Sequence, residues 1–173
     1  MRFNRCLIAP DTIEIQIHGF CDASERAYGA CIYLRTTDRQ GQHKSLLACS
    51  KSRVAPVHPV TLPRLELCSA QLLSRLYASL FPALTHLEVK KVIFWSDSTI
   101  ALHWILTPPH KLKTFVSNRV AEIQEITQSH EWKHVPSQDN PADLSSRGRS
   151  PTEFLTDHIW QYGPSWLSQD ENT

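Results

Sequence analysis

The chain has no excess of charge of either sign. Its 173 residues carry 18 Lys and Arg against 17 Asp and Glu, so any nucleic-acid surface must be a local patch and not a property of the whole molecule. Long apolar runs are missing as well. No stretch approaches the roughly 18 apolar residues that a membrane span needs, and Met1-Arg2-Phe3-Asn4-Arg5-Cys6 has no apolar leader core. These absences point to a soluble, non-secreted protein without a membrane partner. C-x-x-C spacing is also absent. The five cysteines, Cys6, Cys21, Cys31, Cys49 and Cys68, are odd in number and mostly sit in apolar stretches, which reads as reduced, buried thiols in an intracellular protein. Nothing repeats and nothing is low in complexity. With 41% apolar residues, the chain can build one domain with a full core, plus a tail.

What is present is an ordered run of strand and helix signals. Ile13, Ile15 and Ile17 alternate with Glu14, Gln16 and His18, and Gly19-Phe20-Cys21 carries this first strand to Asp22. Tyr28 to Leu34 and Leu46 to Ser50 read as two further strands, separated by the turn-like Thr37-Asp38-Arg39-Gln40-Gly41. Such short connections imply an antiparallel meander. Val54 to Pro63 holds three prolines and should cross irregularly. Pro63 then starts a long helix, with Leu65, Leu72, Leu76 and Leu80 near helical spacing, Glu66 in its first turn and Pro82 closing it. Val92-Ile93-Phe94-Trp95 is a compact buried strand that ends at Asp97. Helices are expected over Ile100 to Leu106 and Thr114 to Thr127, the second with a stripe of Phe115, Val116, Val120, Ile123 and Ile126. A fifth strand covers His130 to Val135. The order specifies an α/β fold with a mixed five-stranded sheet, an antiparallel meander joined to crossover-linked parallel strands and flanked by helices.

The last helix is short and punctuated at both ends. Asn140 suits an N-cap, Pro141 the first helical position, and Gly148 the left-handed residue that ends a helix. Asp143 in its first turn either complements the helix dipole or does something more. Three other acids bear on that choice. Asp22 and Asp97 end strands and Glu66 begins a helix, so all four can meet at one edge of the sheet, as ligands do at the carboxyl ends of strands in open α/β sheets. Taken singly, Asp22 could form a turn and Asp97 could cap the following helix. Glu66 has no basic residue three or four positions away. A converged set would repel itself unless cations bind, and hard oxygen donors suit two Mg²⁺ or Mn²⁺ ions, the clamp used for in-line phosphodiester hydrolysis.

Four blocks carry a resemblance: His18-Gly19-Phe20-Cys21-Asp22-Ala23-Ser24, Leu62-Pro63-Arg64-Leu65-Glu66-Leu67, Phe94-Trp95-Ser96-Asp97-Ser98 and Asn140-Pro141-Ala142-Asp143-Leu144-Ser145-Ser146-Arg147-Gly148. In order, they resemble the acidic blocks of the ribonuclease H domain of Bel/Pao-type retrotransposon polyproteins. Asn118-Arg119-Val120 and Trp160-Gln161-Tyr162-Gly163-Pro164 extend the resemblance across residues 12 to 167. It implies a ribonuclease H-like fold that cuts the RNA strand of an RNA/DNA hybrid during reverse transcription, leaving 5′ phosphates. Asp22 would bridge two metal ions, Asp143 would complete the site that activates water, and Glu66 with Asp97 would hold the metal at the leaving 3′ oxygen. The implied partners are the hybrid and the reverse transcriptase and integrase domains of the same polyprotein. The implied compartment is the cytoplasm, in a retroelement particle, or the nucleus. The expected organisation is a lead-in over 1–11 cut from a longer polyprotein, the ribonuclease H-like domain over 12–149, and a tail toward integrase over 150–173.

Two features depart from relatives. The loop before the last helix, Pro136-Ser137-Gln138-Asp139, lacks the histidine that many cellular ribonucleases H place there, and His134 on the preceding strand is given no catalytic role. Pro108 to Lys113 is too short for a substrate-gripping extra helix, leaving Lys111, Lys113, Asn118 and Arg119 as candidate substrate contacts and Trp104 as either a stacking or a core residue. Two rival readings stand beside the nuclease. Asp22-Ala23-Ser24 and Asp97-Ser98-Thr99 superficially resemble aspartic-protease turns but lack their glycine and leave Glu66 and Asp143 unexplained. The other rival is a catalytically silent nucleic-acid-binding or connecting module inherited from a retrotransposon.

Overall fold

A computed structural model of the chain describes residues 7–128 and 130–170. The isoleucine-rich first segment forms β1 (Thr12–Ala23), which pairs antiparallel with β2 (Ala27–Asp38), and β2 pairs antiparallel with β3 (His43–Val54). The β2–β3 turn is pinned by Asp38, whose Oδ1 accepts from the amides of Gln40 and Gln42 at 2.9 Å each, and Gly41 supplies the positive φ of 79° that the turn requires. The chain then crosses through α1 (Leu62–Leu84) to β4 (Val89–Ser96), which lies parallel to β1. After α2 (Thr99–Ile105) and α3 (Thr114–Thr127), β5 (Glu131–His134) adds parallel to β4. The strand order is β3-β2-β1-β4-β5. This is the mixed five-stranded, ribonuclease H-like sheet that the sequence specifies. Three short helices follow, α4 (Asp143–Arg147), α5 (Pro151–Thr156) and α6 (His158–Tyr162), then a 3₁₀ turn over Ser165–Ser168. Among the described residues no helix is long and apolar enough to cross a membrane.

One sheet face packs against α1 and α3, burying Ile15, Ile17, Leu67, Leu73, Phe94, Val120 and Ile123. Gly19 permits that approach, since a Cβ there would meet Leu73 Cδ1 at 2.8 Å and Phe94 Cδ1 at 2.9 Å. The opposite face buries Phe20, Cys31, Tyr33, Val135, Ala142 and Leu167, with Trp95, Trp160 and Trp166 around them. The chain beyond residue 149 supplies part of this second layer. Tyr33 donates its hydroxyl to the Trp160 carbonyl at 2.7 Å, and the Arg35 guanidinium donates to the carbonyls of Leu167 and Gln169, both at 2.8 Å.

Because β1 is covered on both sides, its alternation does not separate core from solvent. Gln16 and His18, on the polar side of the pattern, are buried, whereas Ile13 at the strand entrance is 63% exposed. The buried polar groups satisfy one another. Trp95 Nε1 donates to His18 Nδ1 at 3.2 Å, His18 Nε2 pairs with Gln16 Oε1 at 3.1 Å, and Gln16 Nε2 donates to Glu14 Oε1 at 2.8 Å.

Several boundaries differ from the sequence reading. β2 and β3 run for 12 residues each, well beyond Tyr28–Leu34 and Leu46–Ser50, because the ladder continues through their polar ends up to the Asp38 turn. Pro82 lies inside α1, because its ring disturbs only the preceding turn and the helix winds on to Leu84. The helix also starts at Leu62, which puts Glu66 at the beginning of the second turn. The regular part of the last predicted helix is Asp143–Arg147; Asn140 caps the turn ahead of it, its Oδ1 accepting from the Ala142 amide at 3.2 Å. Gly148 ends the helix with φ 75°. Cys21, Cys31, Cys49 and Cys68 are free, the first two buried, and Cys6 lies outside the described residues.

Candidate functional site: a four-carboxylate cluster

The parallel pairing of β1 with β4 aligns Cys21 with Ser96, so the residues that follow, Asp22 and Asp97, emerge side by side at the carboxyl ends of the two central strands. Helix α1 brings Glu66 to the same edge and α4 brings Asp143. Asp22 interacts electrostatically with Asp97 and Asp143, and Glu66 with Asp97, so the four acids are linked in a chain of pairwise repulsions. Among the described residues, no three carboxylate, imidazole or thiol groups converge on the single point that one ion would occupy.

Each acid is held by a hydrogen-bond donor. Ser146 Oγ donates to Asp22 Oδ2 and Ser98 Oγ to Glu66 Oε2, both through short contacts. Ser137 Oγ donates to Asp97 Oδ2 at 2.7 Å, and Arg147 Nε approaches Asp143 Oδ1 at 2.5 Å. Ser98 also caps α2 by accepting from the Ala101 amide at 3.1 Å, so the residue that starts α2 also orients Glu66.

The position of α4 is fixed by contacts to β1 and its hairpin. Buried Asn140 donates from Nδ2 to the Cys21 carbonyl at 3.0 Å, tying the entrance of the last helix to the residue before Asp22. Ser24 Oγ donates to the Ser146 carbonyl at 2.7 Å. Gly29 on β2 permits this contact, because a Cβ there would stand 2.0 Å from Ser145 Oγ and 2.9 Å from Ser145 Cβ.

The electrostatics follow from burial without a counter-charge. Desolvation, opposed by the Ser146 hydroxyl and reinforced by Asp97 and Asp143, pushes the Asp22 carboxyl up to about 7. Desolvation likewise raises Glu66, with Asp97 adding to it and the Ser98 hydroxyl working against it. No cation figures among the main influences on either group. Cys21 adjoins the cluster fully buried, its Sγ donating to the Trp95 carbonyl at 3.5 Å, and burial pushes its thiol up to about 12. The donor set, four hard carboxylate oxygen groups with half-buried access at Glu66, Asp97 and Asp143, fits a hard divalent cation such as Mg²⁺ or Mn²⁺.

The other candidates lie apart from the cluster. Lys111 and Lys113 are exposed around the 3₁₀ turn Pro109–Lys111. Asn118 and Arg119 line a 260 Å³ polar cleft with Arg53 and Arg75, and the Arg119 guanidinium sits 3.6 Å over the Phe115 ring. Trp104 packs against the main core and His134 is exposed on β5. Sequence reasoning missed Ser146, Ser137, Arg147 and the bond from Asn140 to β1. For two of them the signal was spacing: Ser146 and Arg147 stand three and four residues after Asp143, on the same helical face.

An open mixed sheet of order β3-β2-β1-β4-β5 with an acidic edge on its central parallel pair defines a ribonuclease H-like domain. Residues 1–98, more than half of the chain, match the Pao retrotransposon-like RNaseH-like domain family, and the chain belongs to that family. The match includes Asp22, Glu66 and Asp97 and stops short of Asp143. No curated protein sequence matches the chain. Similar solved structures include the N-terminal RNase H domain of Rv2228c from Mycobacterium tuberculosis, at 10% identity and TM-score 0.46 over 78% of this chain and 92% of that one. RNase H1 from Halobacterium salinarum matches at 11% and 0.41 over 77% and 94%. LC11-RNase H1, isolated from compost and solved with an RNA/DNA hybrid, matches at 18% and 0.47 over 76% and 93%. At this level of likeness no residue role is carried over from any of them.

Proposed function

We propose that the chain is a metal-dependent endonuclease that hydrolyses the RNA strand of RNA/DNA hybrids during reverse transcription of a retroelement. The observation that carries this reading is the gathering of Asp22, Glu66, Asp97 and Asp143 at one edge with no cation to balance Asp22 or Glu66. Such a set is costly unless positive charge arrives from outside. Asp22, Glu66, Asp97 and Asp143 would together hold two Mg²⁺ or Mn²⁺ ions, with Asp22 serving both. When bound, the ions supply a lowered pKa for water and neutralisation of the scissile phosphate. The chain's own residues then have separate tasks. Ser146 and Asn140 orient Asp22 and the start of α4, Ser98 orients Glu66, and Ser137 orients Asp97.

Hybrid binding would draw on 2′-hydroxyl contacts to one strand and phosphate contacts to the other. The cleft that Arg53, Asn118 and Arg119 line offers one cationic surface, its Arg75 being engaged by Glu122, and Lys111 and Lys113 add a second, exposed one. In this reading the neighbours in the polyprotein are reverse transcriptase and integrase, and the working compartment is a cytoplasmic retroelement particle or the nucleus. The catalytically silent module is the rival, favoured by the lack of three converging ligands among the described residues. Cleavage assays decide between them. With Mg²⁺ or Mn²⁺ the chain should cut the RNA of a hybrid, leave 5′ phosphates, spare single-stranded RNA, and lose activity in Asp22→Asn and Asp143→Asn. Equal cleavage by wild type and both variants would remove the carboxylates from the mechanism.

A further inference from the structure

A cluster of carboxylates that cuts nucleic acid has to admit a polyanion. Even with its own charge fully neutralised it offers nothing to the phosphates on either side of the scissile bond, and these arrive with their charge uncompensated. The cations nearest the cluster therefore matter more than the distant lysines. Among the described residues, Arg147 is the basic side chain that pairs with one of the four acids, at 2.5 Å from Asp143, and 68% of it remains exposed. It borders a 450 Å³ concavity whose other walls are Ala23, Ser24, Glu25, Arg26 and Leu62.

We propose that Arg26 and Arg147 form a phosphate-binding subsite for the backbone of the strand that is cut, a reading that rests on the nuclease function above. The two guanidinium groups come from different elements, the β1–β2 turn and α4, yet their frames are joined. Ser24 Oγ accepts from the Arg26 amide at 3.1 Å and donates to the Ser146 carbonyl at 2.7 Å. The Arg26 carbonyl accepts from the Ala55 amide at 2.8 Å, which braces the turn from the β3 side. Arginine forks match phosphate oxygens in pairs; two of them border one concavity, and Arg147, which meets Asp143 through Nε, keeps most of its side chain exposed. Leu62, 43% exposed, gives the concavity an apolar wall suited to a sugar face. None of Lys111, Lys113 and Arg119 lines this space.

The test uses the full chain and a fluorescently labelled RNA/DNA hybrid with Ca²⁺, followed by anisotropy over a salt series. Arg26→Gln and Arg147→Gln should each weaken binding about fivefold and lower the log–log salt slope by about one, with roughly additive losses in the double variant. A purely structural Asp143–Arg147 pair would leave the slope unchanged and would give Arg26→Gln no effect. Wild-type affinity and slope in both single variants, with Mg²⁺-dependent cleavage intact, would overturn the subsite and leave the nuclease reading standing. A wild-type chain that neither binds nor cuts the hybrid would overturn both.

Discussion

Two carboxylate sites in this domain are built in opposite ways. Glu122 on α3 faces α1, where Arg75 donates to it from Nε at 2.5 Å and Nη2 at 2.9 Å, and Gln71 donates at 2.6 Å. The Arg75 contact holds the Glu122 carboxyl below its ordinary value. Asp22 and Glu66 receive only uncharged donors, the Ser146 hydroxyl and the Ala23 amide for one and the Ser98 hydroxyl for the other, lie among other acids, and are held above theirs. The first site joins two helices and is complete within the chain. The second carries a standing electrostatic penalty that a purely structural acid would have no reason to keep, which is why a charge supplied from outside belongs to the account.

The sharpest way to break that contrast is to remove an acid from each site. Asp22→Asn or Asp143→Asn should lower hybrid cleavage by at least about a hundredfold in a single-turnover assay, whereas Glu122→Gln should leave the rate near wild type. Comparable losses at both sites would mean that activity tracks general stability.

The pH dependence of stability, followed by chemical denaturation in chelator, should carry opposite signs at the two sites. With a folded value of about 7 against 3.8 for the free group, Asp22 binds protons more readily in the folded state. Its penalty is therefore absent below about pH 4, grows as pH rises, and is complete above about 7, amounting to at most about 4 kcal/mol at ~1.4 kcal/mol per pH unit. Asp22→Asn should flatten this decline and stabilise the chain near neutrality. A wild-type stability that rises from pH 4 to 7, unchanged in the variant, would contradict the placement of Asp22.

Position 29 tests whether the acidic edge depends on how closely α4 sits. A methyl group at Gly29 cannot coexist with Ser145 Cβ at 2.9 Å, so Gly29→Ala should destabilise by about 1–3 kcal/mol and depress cleavage beyond what the lost stability explains. A variant with wild-type melting and activity would show that α4 is free to move. The smallest effect belongs to the complete site. Glu122→Gln should cost under about 1 kcal/mol for a partly exposed pair, and this contribution is present above the ordinary glutamate value and lost as pH falls through the lowered one. A larger loss would mean that α1 and α3 depend on the pair more than its exposure suggests.

Much of this was legible in the residues. Period-two isoleucines gave β1, short polar breaks gave the meander, and the compact run Val92–Trp95 gave the buried parallel strand, because those patterns are local. The four acids could be read as a group because each stands at the end of an element, where strand order alone decides whether they meet. What stayed hidden depends on packing between distant segments. Gln16 and His18 fall on the polar side of the alternation, and nothing local reveals that residues near 166 cover that side of the sheet. Pro82 looked like a terminator, since a proline's effect on the preceding turn cannot be told from a helix end by sequence alone. Asn140 reads only as an N-cap and Ser146 as a helix serine without a role, and their bonds to the Cys21 carbonyl and Asp22 span more than a hundred residues.

Calorimetric titration with Mn²⁺ at neutral pH, on wild type and Asp22→Asn side by side, tests the central claim most directly. The expected result is saturable binding by the wild type and loss of most of it in the variant. Binding unchanged by the substitution, or none in the wild type, would contradict the claim that this cluster is built to receive a divalent cation.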